Sequence, residues 1–178
     1  MKITLIRHTQ VIEKYQNKYN GHIDIPLSKE GILQAKEIAF QLQNEHFDKV
    51  YCSDLLRTRQ TLEPFQNITD ITFTKELREK SWGKHEGKSF EEITQEGIEY
   101  HNFLQWINAL DGEDIKSFQK RIQNYFFHTI FQQKGKKNIL VITHSGVIKT
   151  LLGIINNLSL EEAFSLQLDY GGITVIDI

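Results

Sequence analysis

Apolar positions along the chain fall into short, nearly unbroken runs separated by longer stretches of helical periodicity. KITLIRH, residues 2–8, is β-branched and apolar until it meets Arg7 and His8. Such runs suit strands covered on both faces. DKVYCS (48–53) reads as a second strand, ITFTKELRE (71–79) as a third that runs into a loop, and NILVITH (138–144) as the clearest buried strand. ITVIDI (173–178) closes the chain as a strand. Between the first two, PLSKEGILQAKEIAFQLQNEH (26–46) puts Ile32, Ala35, Ile38, Ala39 and Leu42 at helical spacing behind Ser28, a good N-cap residue. DLLRTRQTLEPF reads as a helix starting just after the second strand. SFEEI carries the Ser89/Glu92 capping-box spacing, and the helical pattern continues, broken near Gly97, through YHNFLQWINAL. FQKRIQNYFFHTIFQQ (118–133) sets Phe118, Ile122, Phe126 and Ile130 on one face, with Gly135 as a stop. SGVIKTLLGIIN (145–156) carries the stripe Val147, Leu151, Ile155.

Alternating strands and helices predict an α/β fold, a three-layer α/β/α sandwich around a mainly parallel sheet. Ligands of such sheets bind beyond the carboxyl ends of the strands. Three strands end in chemistry: the first in Arg7 and His8, the second in Ser53 with Arg57 one turn on, the fourth in His144. Parallel neighbours would bring two histidines and two arginines to one edge.

Composition adds limits. The 178 residues suit one domain, 1–178, and no linker, repeat or low-complexity tract divides them. A formal charge of −2 gives no basic surplus, so nucleic acid is not an expected partner. The lone Cys52 excludes an internal disulfide and a multi-cysteine zinc site, and as a buried strand residue it is expected to be inert. No metal-ligand spacing and no cofactor motif is visible. No apolar run of about 18 residues predicts a membrane span. Arg7 and His8 interrupt the apolar start, so it is not a secretory signal. A cytoplasmic enzyme or binding domain is the expectation, and a homodimer stays open.

The converging residues carry their own chemistry. Two arginines in a pocket favour a doubly charged oxyanion such as phosphate, and the turn after VITH adds N–H groups at a helix N-terminus. A neutral imidazole beside a phosphoryl group held by arginines can attack phosphorus. The arginines also disfavour protonation of His8 and hold the equatorial oxygens. His144, if protonated, would donate to the same oxygens, and a nearby glutamic acid would supply the leaving group with a proton. Taken alone, each residue has a plainer reading. His8 would be a satisfied strand-end histidine, Arg57 a surface helix residue like Arg59, and Glu79 a solvated loop carboxylate with Glu76 and Glu86 as rivals. His85 divides between substrate rim and surface. His22, His46, His101 and His128 read as structural or solvated, and Trp82 and Trp106 as core or lid packing. Phe118, Tyr125, Phe126, Phe127 and Phe131 read as core.

LIRHT, GHIDIPLSKEGILQA, VYCSDLLRTRQT, LREKSWGKHEG and LVITHSGVIKTLL, in this order, resemble the histidine phosphatase superfamily, the phosphoglycerate-mutase-like proteins. The resemblance implies that His8 is the phosphorylated nucleophile. It implies that Arg7, Arg57 and His144 surround the phosphate, and that Glu79 is the proton donor. Ser145 matches a position whose N–H faces the ligand, and Asn20 and Gly21 match a turn near the substrate. No cofactor is implied. Several positions depart from the family pattern. Thr9 and Ser145 stand where many members have glycine, and Thr9 is expected to reshape the pocket floor or add a hydroxyl there. Val11 and Lys14 replace the usual Thr or Ser and Asn, so a side-chain phosphate contact is expected to be missing. His85 replaces the tryptophan of the common GxWEG. The short chain implies a phosphatase rather than a mutase. GEDIKSFQKRIQNYF and YGGITVIDI resemble stretches of the α-ribazole phosphatases of cobalamin assembly, so the expected partner is a small phosphorylated metabolite such as α-ribazole 5'-phosphate. A sugar-phosphate phosphatase, a mutase-like enzyme, a protein phosphohistidine phosphatase and an inactive phosphate-binding module remain as alternatives.

Overall fold

The computed structural model describes residues 1–66 and 68–178. Five strands form one sheet: β1 (Lys2–Arg7), β2 (Lys49–Ser53), β3 (Ile71–Thr74), β4 (Asn138–Thr143) and β5 (Ile173–Asp177), in the order β3-β2-β4-β1-β5. All neighbours are parallel except β5, which runs antiparallel to β1 at one edge. Strand alternation divides the interior in two. Ile3, Leu5, Ile139 and Val141 face a core built with α5 (Ile115–Tyr125) and α6 (Ser145–Asn156). Ile6, Val50, Cys52, Leu140 and Ile142 face a second core with α1 (Lys29–Gln41) and α2 (Leu56–Leu62). Those strand residues are fully buried, and each aliphatic side chain so covered contributes about 1.5–3 kcal/mol. This is the expected three-layer α/β/α sandwich.

Local differences have local causes. Ser28 caps α1, its Oγ accepting the Gly31 N–H at 2.9 Å. The buried face of α1 is Gly31, Ala35 and Ile38, whereas Ile32, expected on that face, is 40% exposed. Gly31 explains the rotation. It lies so close to the Gln10 carbonyl that a Cβ there would overlap it, so α1 docks through its smallest residue. β3 stops at Thr74 and passes into the expected loop, because the Thr74 hydroxyl accepts the Glu76 N–H and turns the chain into one 3₁₀ turn. The Ser89/Glu92 capping box forms at α3 (Phe90–Thr94). Gly97 at φ +90° separates it from α4 (Phe103–Ala109). α5 starts at Ile115, before the expected Phe118, because Asp114 accepts the N–H groups of Lys116 and Ser117. It runs on into a π-helical turn, Phe126–Ile130. A short α7 (Leu160–Ser165), not expected from the pattern, carries a second capping box, Ser159/Glu162. Among the described residues, no helix is long and apolar enough to cross a membrane.

Register determines what the sheet delivers. Arg7 lies opposite Thr143, and Cys52 opposite Ile142. His8, Ser53 and His144 therefore emerge side by side at the carboxyl edge, where β1, β2 and β4 end.

Candidate active site

A cleft of about 230 Å³ opens at that edge. All eight residues singled out from the sequence line it: Arg7, His8, Asn20, Gly21, Arg57, Glu79, His144 and Ser145. They come from β1, the loop after it, α2, the loop after β3, and the β4–α6 junction.

His8 is 7% exposed, and its Nδ1 lies 2.9 Å from the Thr9 carbonyl oxygen. A carbonyl only accepts, so Nδ1 carries the proton and Nε2 keeps the lone pair. Burial, then the charges of Arg57 and Arg7, hold its pKa well below the usual histidine range. His8 is a neutral imidazole with a free nucleophilic nitrogen. His144 is fully buried and packs edge-on against His8, ring centroids 5.3 Å apart. Its Nδ1 accepts the Arg57 Nε–H at 3.3 Å, which leaves Nε2–H to donate to Ser53 Oγ at 2.9 Å. Burial first, then Arg57, push its pKa down as well. The unliganded His144 is therefore neutral, with both nitrogens engaged, rather than the protonated donor considered from the sequence.

Arg57 is 2% exposed. Beyond His144 it donates to the Ile23 carbonyl at 2.8 Å and the Gly21 carbonyl at 2.7 Å. Burial lowers its pKa to about 10, so it remains a cation at neutral pH. Arg7 donates through Nη1 to the Leu168 carbonyl at 2.6 Å, and its Nε is buried without a partner. Gly21 sits at φ +46°, where a Cβ would overlap the Glu86 carboxylate. That turn presents both carbonyls to Arg57. Asn20 donates to the Tyr15 carbonyl at 2.6 Å, and its Oδ1 is buried and unpaired. Ser145 opens α6, directing the helix N-terminus at the cleft.

The Glu79 carboxylate bridges two backbone donors, the Lys80 N–H at 3.0 Å and the Gly146 N–H at 2.9 Å. A Cβ on Gly146 would overlap its Oε1. The loop beneath is held by Arg121 of α5. That side chain pairs with Glu113 at 2.7 Å and donates to the carbonyls of Glu76 at 2.7 Å and Arg78 at 3.0 Å. His22 Nε2 donates to the Glu79 carbonyl at 2.9 Å, so this histidine is structural. The rivals of Glu79 are elsewhere. Glu76 is exposed. Glu86 is occupied by the N–H groups of His22 and Trp82 and the Ser81 hydroxyl.

Two expectations change. His85 is neither rim nor surface. It is 1% exposed, its Nδ1 accepting the Asp111 N–H at 2.9 Å. Thr9 does not form the cleft floor. It is buried, with its N–H donating to Thr61 Oγ1 at 3.1 Å and its hydroxyl 3.3 Å from the same oxygen. Val11 is wholly buried and Lys14 exposed, and neither reaches the cleft. Trp106 is buried and donates to the Tyr19 hydroxyl at 2.8 Å, while Trp82 both packs in the core and lines the cleft. Cys52 is buried with its thiol pKa raised to about 12, an inert residue. Among the described residues, no cluster of three or more His, Cys, Asp or Glu is placed to hold a metal ion. Sequence reasoning missed Lys149, Phe164 and Tyr170, which also line the cleft. Lys149 lies one turn into α6 within LVITHSGVIKTLL, Phe164 in α7, and Tyr170 in the irregular segment that heads YGGITVIDI, and the resemblance gives none of them a role.

The comparisons with known proteins agree with this geometry. The adenosylcobalamin/alpha-ribazole phosphatase of Escherichia coli is 29% identical over 186 residues, covering 100% of this chain and 90% of that protein. The crystal structure of the alpha-ribazole phosphatase from Shigella flexneri superposes with a TM-score of 0.87 at 28% identity, over 100% of this chain and 91% of the other. The phosphoserine phosphatase of Entamoeba histolytica, solved with 3-phosphoglyceric acid, gives a TM-score of 0.81 at 27% identity over 98% of this chain and 89% of that one. Residues 3–178 match the histidine phosphatase superfamily (branch 1) over nearly their full extent. The chain therefore belongs to the histidine phosphatase superfamily.

Proposed function

We propose that this chain is a phosphomonoester hydrolase working through a phosphohistidine on His8. One observation carries the reading. A neutral His8, proton fixed on Nδ1 by Thr9, turns Nε2 into a cleft walled by two guanidinium groups and a carboxylate. Arg7, Arg57 and the α6 N-terminus hold the phosphoryl oxygens where charge spreads during transfer. The Nε2 lone pair attacks phosphorus, the N–P bond forming as the ester P–O bond breaks. Glu79 gives its proton to the departing alkoxide. It then takes a proton from water, whose oxygen attacks phosphorus, breaks the N–P bond and releases inorganic phosphate with His8 neutral again. His144 packs edge-on against His8 and holds Arg57 through Nδ1, so it orders the wall that binds the phosphoryl group. Every group needed lies within a single domain, residues 1–178.

The substrate we infer is a small phosphorylated metabolite, with α-ribazole 5'-phosphate first. The similarity to alpha-ribazole phosphatases supports this choice. The similarity to a phosphoserine phosphatase keeps other metabolites in the comparison. Phosphorylated metabolites compared by kcat/KM test the reading. α-Ribazole phosphate is expected to rank first by at least about tenfold. A sugar phosphate or phosphoserine ahead of it reassigns the substrate, and phosphate binding without turnover of any ester removes the enzyme reading.

Gly146 offers a second check. Gly146→Ala pushes the Glu79 carboxylate off its backbone donors, because the three atoms nearest the added Cβ all belong to that carboxyl group. It is expected to lower kcat/KM on alkyl phosphates about tenfold and to cost nothing further in a Glu79→Gln background. Independent, multiplying losses in the double variant would show that Gly146 acts by another route.

A further inference from the structure

We propose that Tyr170 is the positioning residue for Arg7, so that an aromatic ring to which the resemblance gives no role sets the strength of phosphate binding. The inference rests on the function proposed above. Arg7 stands at the end of β1 with its guanidinium carbon 4.1 Å from the centroid of the Tyr170 ring. The same ring lies 5.7 Å from that of His8, tilted by 52°. One side chain thus contacts both the arginine and the histidine to which the chemistry is assigned.

The backbone around Tyr170 is tied down. Gly171 takes φ +71° and donates its N–H to the His8 carbonyl at 3.3 Å, and the Arg7 N–H donates to the Gly172 carbonyl at 3.1 Å. The Arg7 side chain closes the loop through Nη1 to the Leu168 carbonyl. Leu168–Gly172 therefore wraps the end of β1 and holds the ring against the guanidinium face.

Geometry explains what this does. A guanidinium is planar, and all five of its N–H bonds lie in that plane. A ring on its face leaves those edges free while restricting rotation, and the ring quadrupole attracts the cation. Leu168 takes one edge. The buried Nε has no partner, so Arg7 keeps an unmet donor. An arginine held this way needs less ordering when an oxyanion arrives, which strengthens binding of phosphate in substrate and product alike.

The test uses the full chain. Tyr170→Phe keeps the ring and loses only the hydroxyl; Tyr170→Leu removes the ring at a half-buried position. Tyr170→Leu is expected to raise KM and the inhibition constant for inorganic phosphate together by about tenfold, with kcat within about threefold of the parent. Tyr170→Phe is expected to stay within about twofold on all three. Tyr170→Met repeats the measurement with an unbranched chain should the leucine variant melt early. A leucine variant with unchanged phosphate inhibition, or a phenylalanine variant as impaired as leucine, overturns the assignment. A parent protein with no phosphomonoesterase activity overturns the function itself, a different outcome from either.

Discussion

Replacing His8 by alanine is expected to abolish turnover, with a loss of about 10⁴-fold or more on every phosphomonoester. No other group in the cleft is placed to substitute. His144 has one nitrogen against Arg57 and the other against Ser53, and His22 is bound to the Glu79 carbonyl. Rapid mixing with labelled substrate and an alkaline quench should recover a phosphoenzyme from the parent protein that is labile to acid, as an N–P bond is. The alanine variant should give none. A phosphoenzyme persisting in His8→Ala would refute the nucleophile assignment. The same imidazole governs the acid side of the pH profile. Attack requires it neutral, and burial with two arginines depresses its pKa. The acid limb of kcat/KM, corrected for ionisation of the substrate, should fall below the ordinary histidine value of about 6.5. A limb at or above that value would contradict the environment described for His8.

What the sequence revealed of this site depended on where each residue sits in the fold. Arg7, His8 and His144 lie at the ends of continuous apolar runs, so the strand pattern and the rule for parallel sheets placed them together. Arg57 follows its strand by one turn and was legible for the same reason. The family resemblance, rather than periodicity, singled out Glu79. Its strand stops at Thr74, and its carboxylate is held by Gly146, distant in sequence. Tyr170 and Lys149 lie within YGGITVIDI and LVITHSGVIKTLL, which carry the resemblance, yet had no role assigned, because an irregular segment and a helix flank bring them in only after packing is complete. The errors followed from judging residues by type. Ile32 looked like core until Gly31 rotated the helix. His85 looked polar enough for a surface, yet the fold buries it by giving its Nδ1 the Asp111 N–H. Thr9 seemed to modify the cleft and instead joins β1 to α2 through Thr61.

Glu79→Gln should separate substrates by their leaving groups. An alkoxide must be protonated as it departs, whereas p-nitrophenolate leaves as the anion. Glutamine occupies nearly the same volume and can still accept one of the two N–H groups now shared by the carboxylate. The fold is therefore preserved, and the transferable proton is lost. General acid catalysis contributes about 10²–10⁴-fold, so kcat/KM on alkyl phosphates should drop by that amount. For p-nitrophenyl phosphate kcat/KM should stay within about tenfold, because it reports only steps through formation of the phosphoenzyme. Its kcat tells a second story. If Glu79 also deprotonates the attacking water, breakdown of the phosphohistidine becomes slow. The variant should then release a burst of one p-nitrophenol per active site before a slow steady phase. Equal losses of kcat/KM on nitrophenyl and alkyl esters would rule out the acid role. A variant without a burst, turning over nitrophenyl phosphate at the parent rate, would leave Glu79 an acid only and require another base for the water. Glu76 and Glu86 are poor candidates for that base. One faces solvent, and the other is absent from the cleft lining, its Oε1 holding three donors beneath the Gly21 turn.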